Sequence, residues 1–116
     1  MFVRAEVVFT SQLTLVECDR ALIRAMTTDR LSAAETARFG ALLSVVAGAW
    51  ILMPLASEVL ERARRPFPVE PMRTLDAIHL ASALTARSVA ADLEFASLDH
   101  RLRTATRAVG LSVRPA

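Results

Sequence analysis

The chain has 116 residues, 53% of them hydrophobic, with 14 Lys or Arg against 12 Asp or Glu and a formal charge of +2. That is enough for one modest core and too little for two. A lone cysteine, Cys18, excludes an internal disulfide and reads as a small packed apolar residue in a reducing compartment.

Every basic residue is Arg, and Lys, Asn and Tyr are absent. Arg suits phosphate, so the balance permits an RNA partner, while the same bias is what a GC-rich genome writes. Near the start, Glu6 interrupts the apolar residues around Arg4 and no small-residue cleavage site follows, so a signal peptide is not expected.

Residues 6–12 hold the β-favouring Val7, Val8, Phe9 and Thr10, which predicts a buried strand. A helix is expected over 13–28, with Leu15, Leu22, Ile23 and Met26 on its apolar face and Arg20 and Arg24 opposite. Ser32 followed by Glu35 makes a capping box that opens a second helix running toward Ala47. The stretch 39–57 carries no charge and approaches the ~20 residues of a membrane span. Gly40, Gly48 and Pro54 argue instead for a helix end, a break and a buried strand at Trp50-Ile51-Leu52-Met53. A short helix over 55–65 precedes the stiff connector Phe67-Pro68-Val69-Glu70-Pro71. A helix over 74–87, a strand over 94–98, a helix over 99–109 and a last strand over 111–113 complete an alternation that implies a largely parallel sheet.

Two short stretches carry the chemistry. In Thr74-Leu75-Asp76-Ala77-Ile78-His79-Leu80-Ala81, Thr74 caps a helix whose Leu75, Ile78, Leu80 and Leu84 face a core, leaving Asp76 in the first turn. In Ser97-Leu98-Asp99-His100-Arg101-Leu102, Asp99 follows a strand, at the end where open α/β sheets gather ligands. Two carboxylates so placed can converge on a hard divalent cation. Each has a plainer reading: Asp76 interacts with the helix dipole, and Asp99 is an N-cap. His79 reads as a buried, hydrogen-bonded histidine and His100 as exposed, while Ser97 could support the site from behind. Arg101, Arg103 and Arg107 form either a phosphate-facing run or a solvated helix face. No Gly-rich phosphate loop, CxxC pair or Gly-x-Ser-x-Gly elbow is present.

These stretches resemble the PIN-domain ribonucleases, most closely the VapC-type toxins of bacterial toxin-antitoxin pairs. Thr10-Ser11-Gln12-Leu13-Thr14-Leu15-Val16-Glu17 is similar to the family's second strand entering the helix that carries its Glu, with Arg20-Ala21-Leu22 following. Ala108-Val109-Gly110-Leu111-Ser112-Val113 resembles its last helix ending before the final strand. The resemblance implies an α/β fold, PIN-like, three-layer α/β/α with a mostly parallel sheet, as a single domain over 1–116. It also implies a catalytic and metal-binding set of Glu17, Asp76 and Asp99 that holds Mg2+ (or Mn2+) for hydrolysis of RNA in the cytoplasm. An antitoxin partner is expected, and no membrane. The plainer reading of Glu17 is a surface ion pair with Arg20.

One departure matters. The family opens on a strand bearing Asp, central in its sheet, and nothing similar precedes Glu17, so three of the four expected acids are present. The expectation is an N-terminally truncated domain, either a weakened nuclease or an inactive module that pairs with an antitoxin or with itself. A third reading makes Met1 an internal start.

Overall fold

A computed structural model describes residues 7–116. Its elements run β1 (Val8–Ser11), α1 (Leu13–Thr27), α2 (Ala33–Ala47), β2 (Trp50–Met53), α3 (Ser57–Ala63), α4 (Thr74–Arg87), β3 (Glu94–Ala96), α5 (His100–Ala108) and β4 (Ser112–Arg114). This is an α/β chain, and its element order follows the one predicted. The expectations placed on Arg4 and Glu6 lie outside the described residues. The strands form two pairs, β1 with β2 and β3 with β4, and among the described residues no strand joins them into one sheet. The chain divides into two compact units, Met1–Leu52 and Met53–Ala116.

In the first unit α1 packs against α2. The Ser32 capping box forms as predicted: Glu35 N–H donates to Ser32 Oγ at 3.1 Å, and Ser32 N–H donates to Glu35 Oε1 at 3.0 Å. α1 ends where Asp29 takes a left-handed φ of 59°, letting Arg30 N–H reach back to the Ala25 carbonyl at 2.8 Å. Burial departs from expectation here. Neither helix has a buried residue, and Ile23 and Met26, assigned to the apolar face, are exposed. Both strands are also half-open: Val8 and Ile51 are exposed, and Ser11 is the buried member of β1. An apolar composition sets which residues seek cover without supplying the surface that covers them.

The second unit holds the core. Val59, Phe67, Ala77, Leu80, Ala81, Ala105 and Leu111 form one buried cluster, with Ile78, Leu84 and Phe95 packed against it. On α4 the buried positions Ala77, Leu80 and Ala81 follow the helical period, Ser82 and Ala86 are buried on the other side of the helix, and the small alanines let α3 pack closely. Leu75, expected to face the core, is exposed, because the buried face runs through Ala77 and Leu80 instead. The connector is pinned by Phe67, whose ring sits under the Arg62 guanidinium at 3.9 Å and whose N–H donates to Glu70 Oε2 at 2.9 Å. β3 and β4 pair in parallel, Phe95 opposite Val113, and Arg114 reaches back to ion-pair with Glu94. α5 stops at Gly110, where φ is +86°. There Gly110 N–H donates to the Arg107 carbonyl at 3.0 Å and Leu111 N–H to that of Thr106 at 3.3 Å, turning the chain into β4.

Candidate functional site

The end of β3 and the start of α5 are joined by Ser97, Leu98 and Asp99, and this corner is tied from several sides. Ser97 N–H donates to the Arg114 carbonyl at 3.0 Å, continuing the β3–β4 ladder by one bond. Ser97 Oγ accepts from Asp99 N–H at 3.1 Å, and the Ser97 carbonyl accepts from Arg103 Nη1 at 2.8 Å. Asp99 is then the N-cap of α5, its Oδ1 accepting from Leu102 N–H at 3.0 Å. The cap predicted from sequence forms, and Ser97 supports it from below. That backbone bond, aided by the charges of Arg73 and Arg101, holds the Asp99 carboxyl below its ordinary range.

Asp76 lies in the first turn of α4, with its side chain 27% exposed. The predicted cap does not form: Arg73 occupies the N-cap position without a side-chain cap bond, and Thr74 is already helical. What the sequence did not single out is the role of that arginine. Arg73 Nε lies 3.4 Å from Asp76 Oδ2, and its Nη2 donates to Asp99 Oδ2 at 3.1 Å. One guanidinium therefore bridges both candidate acids. The i,i+3 spacing from Arg73 to Asp76 was a readable signal. The contact with Asp99, 26 residues further on, was not.

Beside this pair opens a cavity of about 250 Å³ walled by Val69, Pro71, Met72, Leu102 and Ala105, with Arg73, Asp76, His100 and Arg101 at its polar side. The arginines of α5 divide in role. Arg101 Nη2 donates to the Pro71 carbonyl at 3.3 Å, fastening α5 to the connector, and Arg103 ties Ser97. Arg107 is exposed, as is His100, and His79 is half-buried. Glu17 sits half-buried on α1, in the first unit. Among the described residues no three His, Cys, Asp or Glu side chains gather in a group able to hold a metal ion. No described helix is long and apolar enough to cross a membrane.

The starts of α4 and α5 thus bring Asp76 and Asp99 to one guanidinium in an α/β protein. Ribonuclease VapC35, from two strains of Mycobacterium tuberculosis, is 36% identical to the chain over 108 residues, spanning 90% of this chain and 69% of the relative. No family model matches the chain, and no solved structure matches it significantly. At that identity and coverage the chain belongs to the VapC-type family of PIN-domain ribonuclease toxins.

Proposed function

We propose that the chain hydrolyses RNA phosphodiester bonds as the ribonuclease of a toxin-antitoxin pair, with Asp76 and Asp99 holding Mg2+ or Mn2+. The observation that carries this reading is the approach of both Oδ2 atoms to a single cation, the Arg73 guanidinium. The donor set suits the ion: Mg2+ takes oxygen ligands and is held by one or two carboxylates, with waters and substrate phosphate filling the remaining positions. Such an ion, when bound, lowers the pKa of a water molecule and stabilises charge on the phosphate.

The chain's own contribution is placement. Ser97 and the Leu102 N–H fix Asp99 through its backbone and Oδ1, leaving Oδ2 directed at the shared point. Leu80, one helical turn beyond Asp76, anchors that part of α4 in the core. Glu17 enters as a further acid of the reaction on its motif alone. RNA is the substrate, a cognate antitoxin the partner, and the cytoplasm the compartment.

A second reading, a module that binds an antitoxin or a second copy of itself without cleaving, is favoured by one fact: the two carboxylates already share a counter-charge. Calorimetric titration with Mn2+ tests the first reading. The parent should bind, and the double variant Asp76→Asn with Asp99→Asn, which keeps shape and removes charge, should not. Equal affinity in both would overturn the metal site.

A further inference from the structure

We infer that Arg73 is a resident counter-cation of the acidic pair: it holds Asp76 and Asp99 together in the metal-free protein and has to leave when a divalent ion binds. The inference rests on the reading that these two carboxylates hold the ion.

The geometry leaves little alternative for the oxygens concerned. Asp99 Oδ1 is committed to the Leu102 N–H, so Oδ2 is the oxygen left to face a ligand, and Arg73 Nη2 sits on it at 3.1 Å. On Asp76 the oxygen nearest Arg73 is again Oδ2, at 3.4 Å from Nε. Two carboxylates drawn to one place repel each other unless a positive charge lies between them. A guanidinium is suited to this, being planar, permanently charged and able to offer separate N–H groups to separate oxygens. A metal ion asks for the same oxygens, so the two cations compete.

Arg73 is also placed to let go. Its side chain is 73% exposed, and it sits at the extended residue before α4, outside the helix whose first turn carries Asp76. Arg101 makes a useful contrast: its charge reaches Asp99, while its Nη2 is bound to the Pro71 carbonyl. Arg73 is thus a positioning residue, acting through the carboxylates.

Mn2+ binding measured by calorimetry on the whole chain separates the possibilities, using the parent, Arg73→Gln, Arg73→Lys and Arg101→Gln. Removing a competitor of surface ion-pair strength should tighten Mn2+ binding roughly two- to ten-fold in Arg73→Gln. Arg73→Lys, which keeps the charge and loses the two-nitrogen span, should fall between Arg73→Gln and the parent. Arg101→Gln should change affinity less than Arg73→Gln. Without metal, Arg73→Gln should unfold at a lower temperature than the parent, and Mn2+ should raise its midpoint by the larger amount. If the parent binds Mn2+ and Arg73→Gln binds no tighter, or if Arg101→Gln tightens binding equally, the competition is refuted while the metal site stands. If neither the parent nor Arg73→Gln binds Mn2+, the site and the inference fall together.

Discussion

Arg73 and Asp99, 26 residues apart in sequence, meet through an Nη2–Oδ2 hydrogen bond of 3.1 Å that links the start of α4 to the start of α5. The two helices are therefore joined at the same end by the charges that make up the candidate site. Substitutions there should separate the effects of charge from those of shape.

Asp99→Asn keeps an oxygen that can cap α5, whereas Asp99→Ala removes the cap altogether. The alanine variant should be clearly less stable in urea unfolding than the asparagine variant, and both should lose Mn2+ affinity to a similar extent. Equal stability of the two would show that the Leu102 N–H bond contributes nothing measurable.

Acid should weaken the fold through three carboxyls held below their ordinary range. Asp99 is lowered chiefly by the Leu102 N–H, Glu94 by its bond from Arg114, and Glu35 by the Ser32 backbone. A carboxyl with a depressed folded-state pKa contributes stability that is present above its unfolded value and lost as pH falls through the folded one. Stability should therefore hold at neutral pH and decline below about pH 4. The decline should be shallower in Asp99→Asn, as followed by urea midpoints across that range.

Leu80 is fully buried and lies one turn along α4 from Asp76. Leu80→Ala should cost about 2–5 kcal/mol of stability. It should also weaken Mn2+ binding by loosening the turn that carries Asp76. A loss under about 1 kcal/mol in urea would show that the site can collapse around the smaller residue.

Two helix ends take left-handed backbone and should respond in opposite directions. At Gly110, a Cβ would meet Arg87 Nη1 at 3.5 Å, an ordinary contact, so the cost of Gly110→Ala comes from its φ of +86° and should be about 1 kcal/mol. At Asp29, where φ is 59°, Asp29→Gly should relieve the same strain and raise stability by a smaller amount. Paired urea titrations check both signs.

Local features were legible in the sequence because each depends on residues within one turn: the Ser32 and Glu35 capping box and the Asp99 cap. Element order was legible from periodicity and proline placement. Burial was not. Ile23, Met26 and Ile51 have the composition of core residues and are exposed, since cover is a property of neighbouring surfaces. Arg101 and Arg103 read as one face of a helix, yet their bonds to Pro71 and Ser97 depend on how the connector and β3 approach α5. The same holds for Arg73, whose position between two acids arises when α4 and α5 start side by side.

The most direct measurement is cleavage of a single-stranded RNA by the purified chain with Mg2+, with a chelator in its place, and in the Asp76→Asn, Asp99→Asn double variant. The account predicts cleavage that requires Mg2+ and falls at least about 100-fold in the double variant. Cleavage at the parent rate in the chelator or in the double variant, or no cleavage by the parent at all, would contradict it.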